Sequence, residues 1–196
     1  MLILNGELDP VWFGQIDKKF AIYCTDGAYE RIKALPCTVQ AVIGDLDSLS
    51  DKSRGEVKLI HRPSQNYTDF EKALQYLLDR YKKIDIYGAS GGDVDHFIGN
   101  LSVAKKYKDA AELVFIEPKQ YYFFMNNKTE LENVRGKTIS ILPFPKVENI
   151  KSIGLEYELH DTCLEFGELV SLRNRAKADR VNISFSRGCA LLCVSY

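Results

Sequence analysis

Ala41-Val-Ile-Gly-Asp-Leu-Asp-Ser48 reads as a short apolar strand that stops at a glycine and at once presents two carboxylates, Asp45 and Asp47. In extended backbone, side chains two apart leave on the same side, so the spacing predicts that both acids face one spot beyond the strand end. Like charges held together repel, and a cation between them relieves the repulsion. The carboxyl ends of strands are also where open α/β sheets bind ligands, which points to a Mg²⁺ site. A plain polar turn explains the same residues, because Gly, Asp and Ser are ordinary turn formers. With this stretch alone the turn is the more economical explanation.

Working outward, the same punctuation recurs. Met1 to Asn5 is an apolar run closing on Gly6-Glu7, and Phe20 to Thr25 is a strand followed by Asp26-Gly27-Ala28 and a helical stretch from Tyr29 to about Leu35. Downstream lie a short strand at Val57 to Ile60, a polar loop at His61 to Tyr67, and the clearest helix of the chain. Thr68 and Glu71 are spaced as a capping box, and Phe70, Ala73, Leu74, Leu77 and Leu78 recur at helical spacing. Asp69 then sits at the first helical position, which the helix dipole favours in any protein, although a loop bearing Gln65 and Asn66 could equally turn it toward a ligand. Ile84 to Gly88 is a strand that runs into the glycine-rich turn Ala89 to His96 and a helix to about Tyr107. Such a turn can hold phosphate on backbone amides, but the spacing matches neither a dinucleotide fingerprint nor a P-loop. Asp95 is again an acid at a helix start, and His96 reads equally as a surface histidine. Strands at Glu112 to Ile116 and Gln120 to Met125 follow. Strands alternating with helices predict crossover units and a doubly wound, mostly parallel sheet.

Beyond Asn126-Asn127-Lys128 helical spacing disappears. Short strands at Lys137 to Leu142, Thr162 to Phe166, Arg180 to Phe185 and Cys189 to Val194 predict a small antiparallel β-sandwich. The expected organisation is an α/β domain over residues 1–125 and a β-sandwich over 126–196. With 196 residues and a formal net charge of −1, the chain offers no basic surface for a nucleic-acid backbone. It contains no apolar stretch of membrane-spanning length and no basic-flanked leader, so a cytoplasmic location with no membrane partner is expected. Five cysteines without a Cys-x-x-Cys spacing indicate neither a disulfide framework nor a zinc knuckle.

Five motifs in order, Asp26-Gly27-Ala28, Gly44-Asp-Leu-Asp-Ser48, Gln65-Asn-Tyr-Thr-Asp-Phe-Glu-Lys-Ala-Leu74, Gly91-Gly-Asp-Val-Asp-His96 with Asn100, and Gly154-Leu-Glu-Tyr157 with Ser171-Leu-Arg-Asn174, closely resemble thiamine pyrophosphokinase. The resemblance spans nearly the whole chain. It implies a catalytic, ATP-binding α/β domain, a thiamine-binding β-sandwich, and Mg²⁺-dependent transfer of pyrophosphate from ATP to the hydroxyl of thiamine, leaving AMP. It implies Asp45, Asp47 and Asp69 as catalytic metal ligands, with Asp69 also able to take the hydroxyl proton. Gln65, Ser171 and Asn174 match thiamine contacts. Asp26, Gly27, Lys72, Gly91, Gly92, Asp95 and Asn100 match the nucleotide side, and the site is expected between the subunits of a homodimer. Four positions depart from the family pattern: Asp93 stands where the loop usually has arginine, Ser64 and Asn66 where an acid is common, and Arg173 where a small hydroxyl residue is usual. Two alternatives stand beside this reading. Asp45-Leu-Asp47-Ser48 also resembles the nucleophile motif of haloacid-dehalogenase-type phosphatases, with Asp45 attacking phosphorus, and a non-catalytic nucleotide- or thiamine-binding module would tolerate Asp93.

Overall fold

The computed structural model describes residues 1–15 and 20–196. The chain forms two compact units, Met1–Pro118 and Lys119–Tyr196. In the first, β1 (Leu2–Ile3), α1 (Pro10–Phe13), β2 (Ile22–Thr25), α2 (Asp26–Ile32), β3 (Val39–Gly44), α3 (Asp51–Arg54), β4 (Leu59–His61), α4 (Asp69–Leu77), β5 (Lys83–Tyr87), α5 (Val94–Tyr107) and β6 (Glu112–Glu117) follow one another. The strands lie in the order β4-β3-β2-β1-β5-β6, and every pairing between them is parallel. This is the doubly wound sheet that the alternation of strands and helices predicts. Ala41, Val42 and Ile43 are all buried, as expected of a strand covered on both faces.

Two local details differ from expectation. Helix α2 begins at Asp26 rather than Tyr29, because Thr25 at the end of β2 is already an extended N-cap (φ −74°, ψ 160°). The chain thus passes from strand to helix without a loop. At the start of α4, Thr68 Oγ1 accepts from the Glu71 N–H at 3.2 Å, but Glu71 does not reach back to close the capping box. Its buried carboxylate instead accepts from Lys106 Nζ at 2.6 Å and from the Tyr107 hydroxyl at 2.9 Å, both on α5. A carboxylate taken out of water needs a charged or hydrogen-bonding partner, and α5 supplies two. Phe70, Ala73, Leu74 and Leu77 are buried beneath it.

The second unit holds β7 (Gln120–Phe124), β8 (Lys128–Leu131), β9 (Thr138–Ile153), β10 (Thr162–Glu165), β11 (Ser171–Arg175), β12 (Val181–Ser184) and β13 (Arg187–Ser195). All its pairings are antiparallel. The division falls at Pro118/Lys119, ahead of residue 125, because Gln120–Phe124 pairs with β13. β9 is the organising strand: its first part pairs with β13, β10 and β11, and its last residues pair with β12, which carries β8. β9 runs on through Pro143 and Pro145, which cannot donate to the ladder, with a register shift opposite Gly188 and Ala190. Gly188 takes φ +112°, and a Cβ there would strike the Lys146 carbonyl. Ile139, Ile141, Val147, Ile150, Val181, Ile183 and Leu192 fill the core. Among the described residues no helix is long and apolar enough to cross a membrane.

The Glu71 clamp yields a stability test. Glu71→Ala removes the shared acceptor of Lys106 and Tyr107 and should lower the urea midpoint, with Glu71→Gln losing less. Urea denaturation measures it, and an unchanged midpoint in Glu71→Ala would contradict the clamp.

Candidate active site

The sheet order reverses at β1, with β2 to β4 on one side and β5 and β6 on the other. That is the topological switch point, where strand-to-helix loops diverge and leave a crevice at the carboxyl ends. A cavity of about 660 Å³ opens there, lined by Asn5 and Gly6 after β1, Asp26 and Gly27 after β2, Asp45 after β3 and Gly88 and Ala89 after β5, together with the starts of α4 and α5. The β1 and β5 exits are laced together by Gly6 N–H to Gly88 O (2.7 Å) and Glu7 N–H to Ser90 O (2.8 Å). A side chain at Gly6 would collide with the carbonyls of Gly88 and Ser90.

Three carboxylates converge in this crevice: Asp26, Asp45 and Asp69 each bring an oxygen within 4.8 Å of the others. Asp26 is only 1% exposed, and its oxygens accept from the N–H groups of Gly27 (2.9 Å) and Leu46 (3.0 Å). Burial pushes its pKa above the usual carboxylate value, the negative charges of Asp69 and Asp45 push the same way, and the Gly27 bond offsets part of this. Lys72, one turn into α4 and 3% exposed, donates to Asp45 Oδ2 and to Asp69 Oδ1, each at 2.9 Å. Gln65 Nε2 also donates to Asp45 Oδ2, at 3.1 Å. The ammonium holds the Asp45 carboxyl down at about 2. Burial works against the charged lysine, but the bonds to Asp69 and Asp45 outweigh it and leave its pKa above the ordinary value.

Asp47 is not brought into this group. The strand ends at Gly44, Leu46 turns left-handed (φ +70°), and the i, i+2 rule for extended backbone no longer applies. The Asp47 carboxylate is exposed and accepts from the Ser48 hydroxyl at 3.1 Å. Leu46 tolerates the conformation because its side chain is buried and its N–H is bound by Asp26. The third carboxylate is therefore Asp26, read from sequence as a nucleotide-side residue. No spacing rule could reveal this, because parallel pairing alone puts the end of β2 beside the end of β3.

Gly27, Gly92, Asp95 and Asn100 line the cavity with Asp93 and His96. Asn100 Nδ2 donates to Ala89 O at 3.0 Å, fixing the β5 exit, and Gly91 takes φ +80° with Glu7 packed where a Cβ would stand. Ser171 and Asn174 lie on β11 of the second unit. The Asn174 side chain is consumed by the backbone of Tyr157: its Oδ1 accepts from Tyr157 N–H at 3.1 Å and its Nδ2 donates to Tyr157 O at 2.7 Å. Tyr157 itself is 72% exposed. In sequence this tyrosine stands only as part of a motif, and Arg31, which lines the cavity and donates to Gly6 O, carries no local signal of its place there.

Known proteins bear on these two units separately. The family described as "Thiamin pyrophosphokinase, catalytic domain" matches residues 15–115, and "Thiamin pyrophosphokinase, vitamin B1 binding domain" matches residues 127–190. The chain belongs to the thiamin pyrophosphokinase family. Members of this family are transferases. The chain is 29% identical over 180 residues to thiamin pyrophosphokinase 1 of Caenorhabditis elegans, covering 83% of this chain and 74% of that one. It is 25% identical over 202 residues to the thiamine pyrophosphokinase of Bacillus subtilis, covering 96% and 90%. The solved thiamine pyrophosphokinase structures of Bacillus subtilis and Geobacillus thermodenitrificans share the fold, with TM-scores of 0.83 and 0.85 at 21% and 19% identity, over 99% and 100% of this chain and 97% and 96% of theirs. Within this family the dehalogenase-type alternative has little to stand on. Its acid–base group would be Asp47, which faces Ser48.

The Asp45–Lys72 pair fixes an acid limb. A carboxyl depressed to about 2 from an ordinary 3.8 contributes stability that is complete above 3.8 and is lost as pH falls toward 2. Asp45→Asn should therefore show a shallower loss of stability than the parent between about pH 4 and pH 2. Urea midpoints across that window measure it, and identical slopes would contradict the pairing.

Proposed function

We propose that this chain transfers the pyrophosphoryl group of ATP to the hydroxyl of thiamine, giving thiamine diphosphate and AMP, with Mg²⁺ held by Asp26, Asp45 and Asp69. The observation that carries the reading is the convergence of three carboxylates and one buried lysine in the switch-point cavity. The donor set fits the ion: Mg²⁺ is a hard cation that takes carboxylate oxygens, and three such oxygens stand close together on three different elements. When bound, Mg²⁺ neutralises phosphate charge and orients the phosphoryl group for in-line attack.

The remaining work falls to the protein's own groups. Asp26 is locked by two backbone N–H groups and gives the site a rigid floor. Asp69 is the most accessible of the three, with 37% of its side chain exposed against 15% for Asp45, and is the carboxylate placed to accept the hydroxyl proton. Gln65 orients Asp45. Gly92 and the start of α5 border the nucleotide side, where Asp93 and Asp95 disfavour bare phosphate and leave its charge to the cation and to Arg31 and Lys72. Thiamine is a cationic aromatic ligand, so the second unit is taken to recognise it through neutral groups near Ser171 and an exposed ring, Tyr157, held in place by Asn174. We take the active form to be a homodimer in which one subunit's cavity is completed by the partner's second unit.

Mass analysis of thiamine, ATP and Mg²⁺ incubated with the protein tests the reaction: thiamine diphosphate and AMP are expected in equal amounts, and ADP with thiamine monophosphate would overturn it. Asp45→Asn and Asp69→Asn should each cost on the order of a hundredfold or more in turnover with the fold retained. Activity within a few-fold of the parent would make the carboxylates structural only. Mixing Asp45→Asn protein with Tyr157→Ala protein should restore part of the activity through hybrid dimers, and no recovery in subunits shown to exchange would place the whole site in one chain.

A further inference from the structure

Among the described residues that line the cavity, Lys72 is the one whose position conflicts with the proposed chemistry as it stands. Its ammonium is bonded at 2.9 Å to two of the three carboxylates that a divalent cation needs, and it is buried on a helix whose apolar face is fixed in the core. With all groups ionised, three carboxylates and one ammonium sum to −2. A divalent cation makes the cluster neutral, but it must share Asp45 and Asp69 with a positive charge a few ångströms away, which opposes its binding. An anionic ligand changes this balance, because polyphosphate oxygens entering the cavity offer the ammonium other acceptors and release the carboxylates to the metal.

We propose that Lys72 is the internal counterion of the cation site, keeping its affinity for free divalent cation low and coupling cation binding to polyphosphate binding. The inference rests on the proposed pyrophosphoryl transfer and adds to it the order in which the site fills. Coupling of this kind is reciprocal: a cation that takes over Asp45 and Asp69 frees Lys72 for phosphate, just as phosphate frees the acids for the cation. The lysine is suited to this by its flexible stem and compact charge. Its partners differ in freedom. Asp45 is held additionally by Gln65 and the Asp47 N–H (3.4 Å), while Asp69 lies at the mouth of α4. Metal entry in the absence of phosphate would leave the ammonium between a cation and the apolar body of the helix. The device thus disfavours a loaded metal site without substrate.

The test measures two affinities whose changes have opposite signs. Mn²⁺ alone is titrated into the parent, Lys72→Met and Lys72→Arg proteins, following free Mn²⁺ by electron paramagnetic resonance. The Mn²⁺ complex of the β,γ-imido analogue of ATP is titrated separately by calorimetry. Lys72→Met should bind Mn²⁺ alone on the order of tenfold more tightly, within the usual range of site-to-site coupling, and should bind the metal–nucleotide complex several-fold more weakly. Lys72→Arg, which keeps the charge, should stay within a few-fold of the parent in both. A variant that merely loosens the fold weakens both affinities together, so the opposed signs separate counterion from scaffold. Unchanged or weaker Mn²⁺ binding in Lys72→Met, or tightening of both ligands, would overturn the proposal. Parent turnover of thiamine with ATP, assayed alongside, reports on the proposed function independently: its absence would refute that reaction while leaving the Mn²⁺ comparison to judge Lys72.

Discussion

The structure of the catalytic unit turns on the meeting of the Lys72 ammonium with Asp45 and Asp69 in front of a third, buried carboxylate. Three negative charges this close would drive the ends of β2, β3 and α4 apart, or force one carboxylate to stay protonated. A buried ammonium offsets the repulsion and ties α4 to the end of β3. The cost of burying that ammonium is met by two charge-assisted bonds, and the cost of burying Asp26 by two backbone N–H groups. Everything around the crevice supports this arrangement. The parallel register sets the ends of β2 and β3 side by side, Leu46 bends the chain so that its N–H reaches Asp26, and Glu71 fastens α4 to α5 through Lys106 and Tyr107.

Function follows from where the charge is placed. At a switch point the ends of β1, β2, β3 and β5 all open toward one crevice, so groups from distant parts of the sequence meet without long loops. Among the described residues the crevice is rich in carboxylates and its lysine is already paired with two of them, an arrangement that in the proposed reaction suits a ligand whose negative charge arrives with its own metal. The second unit has a different character. Asn174 Oδ1 accepts from the Tyr157 and Arg175 N–H groups and its Nδ2 donates to Tyr157 O, which pins the backbone that carries the exposed Tyr157 ring, and in the proposed reaction that ring meets a flat, cationic ligand.

Much of this was legible in the residues. Alternating apolar strands and amphipathic helices predict the parallel sheet, Val181, Ile183 and Phe185 predict the buried face of the sandwich, and Thr68 predicts the start of α4. What escaped were properties that short-range patterns do not carry. The strand at Ala41 ends at Gly44 and the chain turns left-handed at Leu46, so the i, i+2 rule does not reach Asp47; leucine rarely takes that conformation and gives no signal of it. β9 runs through two prolines because a bulge absorbs the register. Gln120–Phe124 belongs with β13, some seventy residues later, a pairing that local pattern cannot assign. Asp26 joins the carboxylates through sheet pairing, and the Asn174 amide is bound to the backbone of Tyr157, seventeen residues away in sequence.

In the proposed chemistry Asp26, Asp45 and Asp69 together hold one cation. Anomalous diffraction from crystals grown with Mn²⁺ and the β,γ-imido analogue of ATP tests it most directly. A Mn²⁺ peak within coordinating distance of the carboxylates of Asp26, Asp45 and Asp69 is expected, with Lys72 turned toward the phosphates. A peak that touches none of these three carboxylates, or Lys72 still bridging Asp45 and Asp69 in the loaded site, would contradict it.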